Sequence, residues 1–213
     1  MSKHGRYQTS HLIEDQYEPG SGKRVLKNLL GIKLKREMDE AETLALQKAT
    51  DQVMEVYSRG HKFNAKDIRI IHELWLGEIY EWAGEYRNVN ISKGDFTFAA
   101  AGRIPQLMEA FAREQLRKHT PCIFRTMKRI VRALSEVHVE LVLIHPFREG
   151  NGRLARLIST LMAAQAGLPV LDFTDITGRR KKNYFAAVRS GLDRNYRPME
   201  ELFDRIIDRS LNG

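Results

Sequence analysis

Apolar and polar positions recur with a helical period through most of this 213-residue chain. Met38, Ala41, Ala45, Ala49 and Val53 return at helical spacing with charges between them, which predicts a helix over 35–57. Ile68, Ile71, Leu74, Trp75 and Ile79 fall on one side of a second helix. Asn64 is its expected N-cap, Asp67 lies in its first turn, and the pattern runs to about Trp82. The period then changes. Residues 89–98 alternate around Gly94 and Asp95, a β-hairpin signal inside a helical chain. Helical patterning resumes over 104–119, 126–144 and 152–166, where Gly167 and Pro169 give a stop signal. Residues 183–192 and 199–210 complete the set. Residues 1–24 are polar, carry Pro19, Gly20 and Gly22, and lack sustained periodicity. They read either as an N-terminal arm laid over the domain or as a partly disordered segment. No internal repeat or low-complexity segment interrupts the chain. The expectation is one mainly α domain over 25–213, with a hairpin inserted at about 89–99.

Composition narrows the function classes. Hydrophobic residues make up 42% and charged residues 29%, as in ordinary soluble globular chains. The single cysteine, Cys122, excludes an intrachain disulfide and a zinc site of the paired-cysteine type. Nothing cationic adjoins it closely enough to make it reactive. No stretch approaches the eighteen or so apolar residues of a membrane span, so no membrane partner is expected. The N-terminus has no apolar signal region, and the expected compartment is the cytoplasm. A formal net charge of +8 suits anionic partners in general: nucleic acid, nucleotide phosphates or an acidic protein.

The chemistry concentrates at residues 144–156. A Val- and Leu-rich helix delivers His145 at its end, and Pro146 stops it. Gly150 and Gly152 flank Asn151, and all three tolerate positive φ better than most residues. Successive amides in such a turn form an anion-binding nest, and the next helix aims its free N–H groups at the same place. Arg153 and Arg156, three residues apart, share a helix face and suit phosphate oxygens. Glu149 reads either as a partner for these arginines or as a Mg²⁺ ligand between protein and phosphates. His145 is the one group here that ordinarily titrates near neutrality, so it can take a proton from an attacking hydroxyl.

This segment resembles the Fic-domain motif, His-x-Phe-x-Asp/Glu-Gly-Asn-Gly-Arg-x-x-Arg, at every defined position. The likeness extends to Trp82–Arg87 and Val89–Gly94, which look like the family's approach to its flap hairpin, and to Tyr17–Gly20, Leu26–Gly31 and Asn195–Met199. It covers about Tyr17 to Leu211. It implies a Fic-type helical fold and a protein adenylyltransferase, which moves AMP from ATP to a hydroxyl of a target protein and releases pyrophosphate. In that reading His145 would deprotonate the target Ser, Thr or Tyr. Glu149 would hold Mg²⁺ against the α- and β-phosphates. Gly150, Asn151 and Gly152 would form the anion hole, Arg153 would support the phosphates, and Arg156 would bind the γ-phosphate. The flap residues Ile91, Ser92, Lys93, Gly94 and Phe96 would dock the target by strand addition.

Many members of this family carry an inhibitory helix with Ser/Thr-x-x-x-Glu-Gly/Asn. Here Glu precedes Gly or Asn only at Glu149-Gly150, four residues after His145, so that motif is absent. The resemblance then implies a toxin-like protein restrained by a separate small antitoxin, with type II topoisomerase ATPase subunits among the expected targets.

Other residues read more plainly. Phe147 is expected to anchor the loop, and His138 to be a hydrogen-bonded structural histidine. Tyr184, with Asn183 at the start of a helix, either faces an adenine or packs in the core. Met108, Met127 and Met162 are expected core filler. The basic run at 178–182 is the best nucleic-acid signal, but no helix-turn-helix, zinc or RRM pattern supports it. His72-Glu73 lacks the second histidine of a zincin, since position 76 is Leu76. Two rivals stand: a Fic-fold transferase that phosphorylates or uses another nucleotide donor, and a nucleic-acid-binding module with a vestigial site. Retention of Gly150-Asn151-Gly152-Arg153 favours AMP transfer over the Doc-type phosphorylating relatives.

Overall fold

A computed structural model describes residues 12–176 and 181–212. Helix α1 (Lys35–Val56) lies against α2 (Ala65–Leu76). Asn64 and Asp67 form a reciprocal cap at the start of α2: Asn64 Oδ1 accepts from the amides of Lys66 and Asp67, and Asp67 Oδ2 accepts from Asn64 N. The hairpin follows as β1 (Ser92–Lys93) and β2 (Phe96–Thr97). Its antiparallel register pairs Ser92 with Thr97 and Lys93 with Phe96. Helix α3 (Ile104–Phe111) widens into a π-turn (Ala112–Leu116) and closes with the short α4 (Arg117–His119). Then come α5 (Met127–Ile144), α6 (Asn151–Gln165), α7 (Lys181–Ser190) and α8 (Arg197–Asn212).

α5 is the axis of the fold. Every residue from Ala133 to Val139 is buried, and α3, α6, α7 and α8 all pack on it. A helix segment buried on all sides belongs in the middle of a bundle. Met108 and Met162 fill the core as expected, but Met127 is 43% exposed, because it opens α5 at the bundle's edge. Cys122 is buried in apolar surroundings, and its thiol is pushed up to about 12.

Two boundaries differ from the sequence pattern. The second helix ends at Leu76, not near Trp82. Ile79, Tyr80 and Trp82 are still buried, but on turns, so the apolar rhythm outlasts the helix. The hairpin pairs only two residues per strand, and Phe98 N to Ile91 O extends it by one bond. Most of its length is exposed, and little packing supports a longer ladder. α6 and α7 also begin earlier than the pattern suggests, at Asn151 and Lys181.

Glu14 and Asp15 lie against the His145 loop through Arg148. Tyr17 bridges Leu26, Glu14 accepts from Asn88 N at 2.8 Å, and Arg148 Nε donates to Glu14 O at 2.8 Å. No described helix is long and apolar enough to cross a membrane.

Candidate active site

The loop between α5 and α6 is built by its own sequence. His145 caps α5 in the left-handed region, with φ 53°, and its amide still donates to Leu141 O. The proline that follows disfavours helical backbone at this position. Gly150 is the second left-handed residue, with φ 82°. A Cβ there would lie 2.6 Å from Trp75 Cζ3, so both the backbone angle and the close approach require glycine. Asn151 and Gly152 instead take helical geometry as the first residues of α6. The Asn151 side chain is buried and closes the loop on itself: Phe147 N donates to Oδ1 at 2.9 Å, and Nδ2 donates to Phe147 O at 2.8 Å. The first-turn amides of α6 are left without intrahelical acceptors, as at any helix start.

This loop lines a cleft of about 890 Å³. Its other walls come from Asp39 and Thr43 of α1, the hairpin, and Lys181, Tyr184, Phe185 and Arg189 of α7. The predicted site residues His145, Glu149, Gly150, Asn151, Gly152, Arg153, Arg156 and Tyr184 all line it, as do Ile91, Ser92, Lys93 and Phe96. Gly94 sits at the hairpin turn with φ 62° and is exposed. Of the basic run at 178–182, residues 178–180 lie outside the described residues.

His145 presents one ring nitrogen that makes no hydrogen bond among the described residues. Its Nδ1 lies 3.1 Å from Val142 O, an acceptor, so Nδ1 carries the ring proton and Nε2 is the free lone pair. Burial lowers its pKa to about 4; the Val142 contact opposes this, and Arg87 and Lys93 add to it. Phe98 stacks on the imidazole at 3.7 Å.

Arg153 leans across to α1. Its Nη2 donates to Glu42 at 2.6 Å and lies 3.5 Å from Glu149. Its guanidinium stands 4.7 Å from the Trp75 ring centroid. The Glu149 side chain is 46% exposed, and among the described residues its carboxylate makes only this long contact. A carboxylate so placed fits Mg²⁺, which is commonly held by one or two carboxylates together with substrate phosphates. No group of three potential ligands occurs among the described residues, so such an ion would depend on the phosphates. Arg156 makes no ion pair among the described residues, and burial lowers its pKa.

Tyr184 lines the cleft, yet it is 4% exposed and its hydroxyl is engaged in the core. It lies 3.0 Å from His138 Nε2, while His138 Nδ1 lies 3.1 Å from Ser159 Oγ. Ser159 itself donates to Ala155 O, so His138 donates from Nδ1 and accepts from the tyrosine. The expected structural role of His138 matches this geometry.

Several supporting residues carry no local sequence signal. His72 accepts from Gly84 N at 2.9 Å and donates to Glu149 O at 3.2 Å, while its ring stacks on Phe147 at 3.9 Å. Buried Glu42 accepts from Tyr80 as well as Arg153. Arg87 ties the hairpin stems to the His145 loop. Glu42 could have been found: it falls on the buried row of α1 with Met38, Ala49 and Val53, where a charge needs a partner.

The comparisons agree with this geometry. A family profile described as Fic/DOC matches residues 62–163. The chain is 32% identical over 154 residues to "Protein adenylyltransferase VbhT" of Bartonella schoenbuchensis, covering 70% of this chain and 30% of that protein. It therefore spans under a third of that relative. It is 30% identical over 149 residues to "Probable protein adenylyltransferase y4lH" of Sinorhizobium fredii, covering 68% of this chain and 74% of the relative. In fold it resembles the N-terminal Fic domain of an effector from Bartonella sp. AR 15-3, with TM-score 0.75, 20% identity and 95% of each chain covered. It also resembles BepC of Bartonella tribocorum, solved with bound AMPPNP, with TM-score 0.71, 23% identity, and 92% and 97% covered. The helical frame around one hairpin, and the loop that it holds, are those of a known lineage: the chain belongs to the Fic/DOC family.

Proposed function

We propose that this chain is a protein adenylyltransferase, transferring AMP from ATP to a Ser, Thr or Tyr hydroxyl of a target protein. The observation that carries the reading is His145, neutral, oriented by Val142 O, and lining the same cleft as the start of α6. The target oxygen attacks the α-phosphorus. A phosphorus–oxygen bond forms to the target, the bond from the α-phosphorus to the bridging oxygen breaks, and pyrophosphate leaves. The hydroxyl proton goes to His145 Nε2. The amides at the start of α6 and the two arginines meet the phosphate charge, in keeping with a reaction dominated by positioning and charge neutralisation. Glu149 would hold Mg²⁺, which when bound neutralises phosphate charge. The hairpin offers an exposed edge to an extended target segment.

The lack of an inhibitory motif in the chain, and an Arg156 that pairs with no carboxylate among the described residues, support restraint by a separate antitoxin that supplies a glutamate. The use of ATP favours the cytoplasm as its place of action.

The test is to incubate the chain with Mg²⁺ and bacterial lysate, with ATP labelled at the α-phosphate or at the γ-phosphate. Label on protein from the α-phosphate only, lost in His145→Ala, is the expected result and gives the target's mass. Label from the γ-phosphate only would make the chain a phosphotransferase. No label from either, with nucleotide binding intact, would count against the ATP donor.

A further inference from the structure

Arg87 is 1% exposed, a guanidinium wholly inside the fold. Its bonds go to carbonyl oxygens. Nε donates to His145 O at 2.7 Å, Nη1 to Val89 O, and Nη2 to Ala99 O at 2.6 Å and Ile144 O at 3.5 Å. Its backbone N–H donates to Pro146 O at 2.9 Å. Burial lowers its pKa to about 10, with Glu14 opposing and Arg148 adding to the fall.

These acceptors belong to two separate stretches of chain. Val89 and Ala99 are the two stems of the hairpin; Ile144, His145 and Pro146 are the end of α5 and the loop that carries the base. Phe98, on the outgoing stem, stacks on the imidazole itself at 3.7 Å. Among the described residues the hairpin pairs with no other strand; Arg87 and Phe98 tie its root to the His145 loop, while Arg189 of α7 contacts its tip.

We propose that Arg87 is a positioning residue for protein modification: it sets how far a strand docked on the hairpin stands from His145 Nε2. The proposal rests on the reading of the hairpin as the target-docking element. A hydroxyl must come within roughly 3 Å of the base to lose its proton. A displacement on the order of 1 Å can cost about 100-fold in rate. Lysine cannot replace this clamp, because a single ammonium does not reproduce a planar fork that reaches both stems and the loop at once.

The test uses full-length Arg87→Lys, which keeps the charge, and Phe98→Leu, a milder change at the same joint. Hydrogen exchange is measured first. In Arg87→Lys the amides of 90–98 should exchange about tenfold faster than in the parent, with α6 unchanged. Unchanged hairpin exchange, or a rise spread evenly through α5 and α6, would overturn the clamp. Transfer to the lysate target is then set beside affinity for a non-hydrolysable ATP analogue. Arg87→Lys should lose at least about tenfold in transfer, and Phe98→Leu about threefold, with nucleotide affinity kept within about twofold. Retained transfer, or parallel loss of transfer and nucleotide affinity, would reduce Arg87 to a part of the scaffold. If the parent chain itself modifies no protein, the adenylyltransferase reading fails, while the exchange comparison still decides whether Arg87 holds the hairpin.

Discussion

Arg153 of α6 donates to the Glu42 carboxylate of α1 at 2.6 Å, a contact that joins residues 111 positions apart. The same guanidinium lies 3.5 Å from Glu149, so it is shared unequally between a buried carboxylate and one in the cleft. Glu42 draws it away from the group that would bind Mg²⁺. Glu42→Gln should turn Arg153 toward Glu149 and raise the Mg²⁺ concentration for half-maximal transfer by about fivefold, on the order of 1 kcal/mol. A Mg²⁺ titration of the labelling rate checks this, and an unchanged midpoint would contradict it.

Gly150→Ala meets two penalties at once. A left-handed alanine costs roughly 1–2 kcal/mol. Its Cβ would also collide with the Trp75 ring, and overpacking of this kind costs about 1–3 kcal/mol. The variant should melt about 10 °C below the parent and bind ATP more weakly, because the loop and Trp75 shift together. Calorimetry and nucleotide titration read the two effects. A parent-like melting temperature would mean that the left-handed turn is not required.

Burial holds His72 and His138 neutral, with pKa values lowered to about 4 and about 3. In the unfolded chain each binds a proton near pH 6.5. Below that value the unfolded state binds more protons, so stability falls as the pH drops from about 6.5 toward 4, by up to about 1.4 kcal/mol per pH unit for each histidine. Above pH 7 neither contributes a slope. Melting temperatures should therefore be flat from pH 8 to 7 and fall steadily from pH 6 to 5. His145 follows the same direction with its value near 4, so transfer at saturating ATP should show no histidine inflection near pH 6.5. An acidic limb centred there would show that His145 is not depressed in solution.

The hairpin tip is held by a different kind of contact. Arg189 of α7 pairs with Asp95 and stands over the Phe96 ring at 5.4 Å. Both charged groups are well exposed, 45% and 80%, so the pair adds little to stability. Asp95→Ala should leave the melting temperature within about 3 °C of the parent, since exposed pairs are typically worth under about 1 kcal/mol. It should raise the exchange of Gly94 and Phe96 amides, with the effect confined to the tip. A melting temperature lowered by several degrees would mean that the tip anchors α7.

The parts legible in the sequence were those encoded within a turn or two of chain. The α1 pattern over 35–57 matches Lys35–Val56, because an amphipathic row and its charges are local. The segment from His145 to Arg156 reads directly, since a helix end, two turn residues and a helix start are adjacent in order. What escaped depends on distant partners. His72 reads in sequence as an incomplete zinc motif, yet from α2 it braces the loop at Glu149 O. Nothing in the neighbours of Arg87 indicates that its guanidinium meets a carbonyl 58 residues later. The end of α2 is not legible because the buried turns after it keep the apolar rhythm of the helix.

Arg87 holds main chain, and every residue type offers the same carbonyl. The grip on the hairpin is therefore indifferent to what is written between its stems. Ser92, Lys93, Gly94, Asp95 and Thr97 are exposed, and none supplies an acceptor to the clamp. Those positions can change without removing an acceptor from Arg87, although Asp95 also pairs with Arg189 at the tip. At this joint the constraint falls on Arg87 and Phe98, not on the residues whose carbonyls Arg87 grips.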